Sequence, residues 1–100
     1  MRYLIFDLSD GDDGVQTLEA MASTRGDEHA AVLAEVDRVL GWAAQAFADG
    51  PGPVEDGAAW DSELLVQQEA GGWQTVTLTL SGTAAFVEAF GQRFGGDTPD

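Results

Sequence analysis

Two ten-residue segments of this chain share a pattern that constrains its fold more than any other feature. Segment 14–23 reads GVQTLEAMAS and segment 72–81 reads GWQTVTLTLS, so Gly, Gln, Thr and Ser recur at equivalent positions. In both segments apolar residues fall mostly at alternate positions, which is the period of a β-strand with one buried face. A similar strand at a similar place in each half predicts an internal duplication.

The residues around these segments extend each half to the order strand, strand, helix. A run of β-formers precedes each segment across a glycine-rich turn, which predicts a hairpin, and apolar residues at helical spacing follow it. The predicted elements are strands 3–8, 15–22, 62–69 and 73–80, a helix over 28–48, and a second helix capped at 81–83 that carries Phe86, Phe90 and Phe94. The order is therefore ββαββα.

These elements predict an α+β fold: a two-layer sandwich in which both helices cover one face of a four-stranded, mainly antiparallel sheet. The runs 3–6 and 64–66 are apolar at successive positions, which is typical of central strands buried on both faces. We therefore expect the strand order 2-1-3-4, numbered along the chain. The open face would then carry apolar residues, either half exposed or covered by a homodimer through that face.

The length and charge of the chain limit what it can be. One hundred residues suit a single domain, with repeat units at about 1–48 and 61–95, a long loop at 49–60 and a short acidic tail at 96–100. The chain holds 18 Asp and Glu against four Arg and no Lys, for a net charge of −14. Because so few cationic groups are present, we expect no direct binding to nucleic acid and no attachment to anionic membranes.

The first residues contain one basic residue and only four consecutive apolar residues before Asp7, which is too short for a signal peptide. The uncharged stretch 70–87 has the length of a membrane span, but its glycines and alternating polar residues are typical of a half-buried strand. We therefore expect a cytoplasmic protein.

Residues suited to catalysis or metal binding are scarce. The absence of Cys excludes disulfides and thiolate chemistry, and His29 has no second histidine with which to hold a metal. The acidic turn 10–14 departs from a calcium-binding EF-hand loop, since the fifth position is Gly14 and the twelfth is Met21. No glycine-rich phosphate-binding motif occurs. We predict no catalytic residue, no metal site and no cofactor, which favours a non-enzymatic protein.

The predicted topology gathers acidic residues at one end of the sandwich. The arginines Arg2, Arg25 and Arg93 fall at the opposite end. The acidic end comprises Asp10, Asp12, Asp13, Asp49, Glu55, Asp56 and Asp61. This separation of negative from positive charge favours a small binding module for a basic protein partner, as in an inhibitor, an immunity protein or a nucleic-acid mimic. The competing interpretation is that loops collect acids, and that the composition reflects a GC-rich genome or adaptation to salt.

Two aromatic residues are candidates for partner contacts. Trp60 ends the long loop and Trp73 begins the last strand, so either side chain could be partly exposed. The same region supports an alternative function, a small-molecule-binding protein or enzyme subunit with a pocket between the sheet and the 49–60 loop.

Overall fold

A computed structural model describes residues 2–11 and 14–94 of the chain. The elements are β1 (Phe6–Asp10), β2 (Gln16–Arg25), α1 (Asp27–Ala46), β3 (Trp60–Gln68), β4 (Trp73–Gly82) and α2 (Ala84–Phe94), with short 3₁₀ turns at Val54–Asp56 and Ala70–Gly72. The predicted order ββαββα is confirmed. The first strand begins three residues later than expected, at Phe6. The acidic tail lies outside the described residues.

The four strands form one antiparallel sheet in the order β1-β2-β4-β3. β2 and β4 pair along their whole length, from Gln16 opposite Gly82 to Arg25 opposite Trp73. The expected order 2-1-3-4 is therefore wrong, because the second strand of each hairpin is central and the first is at an edge. The two segments that resemble each other in sequence are thus paired with each other, while the duplication itself stays a prediction.

The strand-order prediction failed because the apolar runs belong to the edges of the sheet. On β3, Leu64, Leu65 and Val66 are 45%, 50% and 41% exposed, and Ile5, just before β1, is 76% exposed. β2 and β4 instead alternate between core residues on one face and mostly Thr, Ser and Glu on the other. A central antiparallel strand tolerates a polar face wherever that face stays in water.

Alternate residues of the central strands and one stripe of each helix form a single core. Val76, Leu78 and Leu80 of β4 are fully buried, as the alternation predicts. The other main contributors are Leu18, Ala20 and Ala22 of β2, Val32, Val36, Val39 and Ala43 of α1, and Phe86, Phe90 and Phe94 of α2. Burying each Val, Leu or Phe of this set stabilises the fold by about 1.5–3 kcal/mol relative to exposure. This core fixes which face of each central strand reaches the surface.

The two helices begin differently. α1 follows Gly26, whose φ of 67° suits glycine, and no side chain of the described residues caps it. α2 is capped as expected, since the Phe86 backbone N–H donates to Thr83 Oγ1 at 3.3 Å. In the described part of the chain, neither helix combines the length and apolar character that crossing a bilayer requires.

A buried glutamate attaches the N-terminal segment to α1. The Glu35 carboxylate accepts hydrogen bonds from the backbone N–H groups of Arg2 at 2.9 Å, Tyr3 at 3.1 Å and Leu4 at 2.9 Å. Glu35 is only 8% exposed, and Leu4 is buried beside it at 3%. These hydrogen bonds satisfy three backbone donors of a segment that precedes the sheet.

Candidate partner-binding surface

The topology brings several chain segments to one end of the sheet, which we call the hairpin end. In the register, Asp10 is opposite Gln16, Gln16 is opposite Gly82, and Gly82 is opposite Trp60. The end of α1 reaches the same place, because the Trp60 indole N–H donates to the Phe47 carbonyl oxygen at 2.8 Å. The hairpin end therefore consists of the β1–β2 turn, the start of β3, the end of β4 and the loop 47–59.

Acidic residues that the sequence assigns to one end belong to these segments. They are Asp10, Asp49, Glu55, Asp56 and Asp61, while Asp12 and Asp13 lie outside the described residues. All are exposed except Asp61, which is half-buried. Two of the carboxylates are held by neighbours: Asp10 Oδ1 accepts a hydrogen bond from Gln16 Nε2 at 2.7 Å, and Asp61 Oδ1 accepts one from the Ser62 backbone N–H at 2.8 Å.

The register adds further carboxylates on the outer face of the sheet, the face whose side chains do not enter the core. One cross-strand row runs Asp7, Glu19, Thr79, Glu63, and the next row toward the hairpin end runs Ser9, Thr17, Ser81, Asp61. Neighbouring strands lie about 4.7–4.9 Å apart, so these carboxylates share one patch. We call Asp7, Glu19, Asp61 and Glu63 the acidic sheet face.

Three of these residues were missed by sequence reasoning. Asp7, Glu19 and Glu63 lie within strands, and their common face follows only from the register and the order of the strands. The sequence could have shown that Glu19 faces away from the core, since it alternates with Leu18 and Ala20 on β2. It could not have shown that Asp7 and Glu63 lie in the same cross-strand row.

A shallow open groove follows part of the acidic sheet face. It has a volume of about 340 Å³ and is lined by Asp61, Ser62, Glu63, Thr79 and Ser81. Its carboxylates and hydroxyls are hydrogen-bond acceptors, which is what a guanidinium or ammonium group requires from a binding surface. The groove is therefore suited to a cationic side chain.

The carboxylates do not converge on a single point. Among residues 2–11 and 14–94, no three His, Cys, Asp or Glu side chains lie close enough together to hold a metal ion. Carboxylates spread in this way can meet several cationic groups of a larger molecule.

Arg25 and Arg93 lie away from the hairpin end. Arg25 ends β2 opposite Trp73, and its guanidinium lies 5.1 Å from the centre of the indole ring. Arg93, in the last turn of α2, lies 4.9 Å from the ring of Phe94. Trp73 is 40% exposed, so this candidate contact aromatic is accessible, but it lies at the opposite end of the sheet from Asp10 and Asp61.

Trp60 is a core residue, which corrects the expectation of a partly exposed contact. It is 2% exposed and stacks on Phe86 with ring centres 5.7 Å apart. A Cβ atom on Gly50 would come within 2.6 Å of the Trp60 side chain. The Trp60 side chain therefore fills part of the space between the sheet and this loop, where the sequence suggested a ligand pocket.

The single histidine lies at the start of α1, away from the acidic sheet face. His29 Nδ1 and Thr24 Oγ1 are both buried and have no hydrogen-bond partner among residues 2–11 and 14–94. Within this part of the chain no carboxylate is bonded to Nδ1 to orient the ring, as one is in a catalytic relay.

Comparison of the chain with protein-family models, curated proteins and solved structures finds no significant match. Its function is therefore inferred from the fold and the charge distribution of the chain itself.

Proposed function

We propose that this protein is a small, non-enzymatic binding module that engages a basic protein partner through its acidic sheet face and the adjoining hairpin end. The observation that carries the proposal is the cross-strand row in which Asp7 lies opposite Glu19, with Glu63 two strands further on. An inhibitor, an immunity protein or a nucleic-acid mimic would use such a surface against a cationic site on its target.

Access to this surface depends on the layer arrangement. We infer that both helices cover the inner face, because buried residues of α1 and α2 join Leu18, Leu78 and Leu80 in one core. On the outer face, Glu19 is exposed and Met21 is 62% exposed. An open outer face lets a partner approach all four acidic residues at once.

Two carboxylates directly opposite each other favour the binding of a cation on this surface. Like charges directly opposite each other on neighbouring strands destabilise a sheet, by about 0.2–1 kcal/mol on the scale of other cross-strand pairs. Asp7 and Glu19 are such a pair. A guanidinium placed between them removes the repulsion and adds charge-assisted hydrogen bonds. Both effects increase the affinity for the partner.

The neighbouring groove favours arginine in the partner. Asp61 and Glu63 stand on either side of Ser62, and Thr79 and Ser81 face them from β4. A planar guanidinium has five donors and can bond a carboxylate and nearby hydroxyl oxygens together, whereas an ammonium group acts as a point charge.

The net charge of −14 supports fast, salt-sensitive association. A surface of one sign attracts an oppositely charged partner over distances near the Debye length, about 10 Å at 0.1 M salt. Affinity for a basic partner should therefore fall as salt is added, chiefly through the association rate.

The test uses a short, dye-labelled synthetic peptide of alternating arginine and serine and measures its affinity by fluorescence anisotropy. The surface variant is Asp7→Asn, Glu19→Gln, Asp61→Asn and Glu63→Gln. The matched control removes the same four charges from exposed positions elsewhere: Glu28→Gln, Asp37→Asn, Glu69→Gln and Glu88→Gln. Both proteins then have the same net charge, so only the location of the acids differs.

We expect the surface variant to bind the peptide about tenfold more weakly than the control variant, and the difference to shrink as salt is added. Equal affinities of the two variants would contradict the proposal, because net charge alone would then account for binding.

A further inference from the structure

β3 is an unusual edge strand. It pairs with β4 along its whole length from Trp60 to Gln68 without a bulge, and its other side has no strand neighbour in the described part of the chain. Its middle residues, Leu64, Leu65 and Val66, are apolar and 41–50% exposed. A long, flat, apolar edge is a template for pairing with another strand.

The backbone hydrogen bonds identify which residues face the free edge. The Ala59 carbonyl accepts a hydrogen bond from the Thr83 N–H, and the Glu69 N–H donates to Trp73, so odd-numbered residues point toward β4. The Trp60 carbonyl points the other way, where it accepts a hydrogen bond from Gly52 at 3.1 Å. By the alternation of an antiparallel strand, the backbone groups that face outward are those of Ser62, Leu64, Val66 and Gln68.

The accessible part of the edge has a defined centre. Gly52 covers the edge at Trp60, and Asp61 Oδ1 holds the Ser62 N–H. The free backbone groups therefore run from the Ser62 carbonyl to Gln68, and Leu65 is the midpoint of this segment. Glu63 is the only charged residue in this segment.

The opposite edge of the sheet is protected. β1 has only five residues, of which Asp7 and Asp10 are charged. Short length and charged residues are common defences of edge strands against unwanted pairing. β3 has nine residues and neither Pro nor Lys, and its two charged residues, Asp61 and Glu63, both precede the apolar run 64–66. Residues 64–68 of this edge therefore lack the features that prevent association.

We propose that β3 pairs with β3 of a second copy of this chain, antiparallel about a two-fold axis at Leu65. In this register Leu65 faces Leu65 of the second copy, Leu64 faces Val66, and Glu63 faces the uncharged Gln67. The Ser62 carbonyl and the outward backbone groups of Leu64, Val66 and Gln68 find partners on both chains, while the Ser62 N–H keeps its bond to Asp61. The two sheets then join into one of eight strands.

The segment favours a copy of itself over a basic strand because apolar residues fall opposite apolar residues. An antiparallel two-fold pairing also satisfies the isologous rule of closed dimers, in which the same patch is used twice. The interface is small, so we expect a dimer that dissociates on dilution.

This dimer is separable from the binding of a basic partner by its salt dependence. Each copy carries a net charge of −14, so the copies repel, and added salt should strengthen dimerisation. Salt should weaken the binding of a basic partner. The failure of one proposal therefore leaves the other standing.

The chain has no Cys, so a single introduced cysteine reports the register. Because the backbone of Leu65 points toward β4, Leu65 and its copy form a non-hydrogen-bonded pair, with Cα atoms about 4.5 Å apart. That distance permits a disulfide. In Leu65→Cys we expect mild oxidation to yield a covalent dimer. Gln67→Cys is the control, because Gln67 faces Glu63 of the second copy and not itself.

A second measurement follows self-association by sedimentation velocity over a range of protein and salt concentrations. Val66→Pro removes an N–H that points to the free edge and leaves the pairing with β4 intact, so it should weaken dimerisation about tenfold or more. Leu65→Thr keeps a β-former and removes the central apolar contact, and Met21→Thr on the outer face of β2 is its control.

We expect Leu65→Thr to weaken the dimer while Met21→Thr does not. If Val66→Pro does not fold, the comparison of Leu65→Thr with Met21→Thr tests the proposed pairing of β3. A parent protein that stays monomeric at all concentrations and salts would overturn the proposal. Cross-linking of Gln67→Cys as fast as that of Leu65→Cys would overturn it as well.

Discussion

Asp7 and Glu19 lie directly opposite each other on β1 and β2, with both side chains exposed on the outer face of the sheet. Opposed like charges on neighbouring strands oppose folding. The protein nevertheless places two carboxylates there, next to the row that contains Asp61.

Neutralising one member of this pair should stabilise the free protein. We expect Glu19→Gln to raise the free energy of unfolding by about 0.2–1 kcal/mol at low salt. For a domain of this size, 1 kcal/mol corresponds to about 4–8 °C in melting temperature. Thermal melts followed by circular dichroism measure the change.

The control is Glu63→Gln, since Glu63 lies opposite Thr79 and has no like charge directly across from it. We expect it to shift the melting temperature less than Glu19→Gln does, and salt to reduce the difference. Identical shifts at every salt concentration would show that the Asp7–Glu19 repulsion is negligible.

The buried Glu35 should contribute more to stability than an exposed acidic residue on the same helix. In Glu35→Gln one carboxylate oxygen becomes an amide donor that faces the N–H groups of Arg2, Tyr3 and Leu4. Leaving a buried donor without an acceptor costs about 1–3 kcal/mol. We expect a lower melting temperature and faster hydrogen exchange at the Leu4 amide. Asp37→Asn, an exposed change on the same helix, should leave that exchange rate unaltered, and equal rates in both variants would contradict this role.

Two glycines should respond in opposite directions to the same substitution. In Gly50→Ala the new Cβ would come within 2.6 Å of Trp60, so we expect a loss of about 1–3 kcal/mol from overpacking. Gly41 lies in α1, where an added Cβ atom would meet no atom of residues 2–11 and 14–94 within 4 Å, and Gly41→Ala should stabilise the helix by about 0.5–1 kcal/mol. Chemical denaturation measures both, and a stabilised Gly50→Ala protein would show that Trp60 is not fixed against the loop.

Local patterns were enough to predict the elements of this fold. The alternation of Val76, Leu78 and Leu80 identified the buried face of β4, and the spacing of Phe86 and Phe90 identified that of α2. These patterns arise within one element, so they need no knowledge of its neighbours.

The arrangement of the strands could not be obtained in this way. Leu64–Val66 is apolar on both faces whether β3 is buried in the centre of the sheet or exposed at its edge, and only the pairing of β2 with β4 distinguishes the two cases. The row that contains Asp7, Glu19 and Glu63 depends on the same pairing. The burial of Glu35 could have been predicted, because this residue falls on the same helical stripe as Val32 and Val39.

The most direct test of the proposed function is a titration of ¹⁵N-labelled protein with the arginine-serine peptide, followed by amide chemical shifts. We predict that the largest changes lie at Asp7, Glu19, Asp61, Glu63 and Ser81, that the amides of Asp37 and Glu88 stay nearly unchanged, and that added salt reverses the shifts. Changes spread evenly over both helices and the sheet, or centred on Trp73 and Arg25, would contradict the assignment of the acidic sheet face as the binding surface.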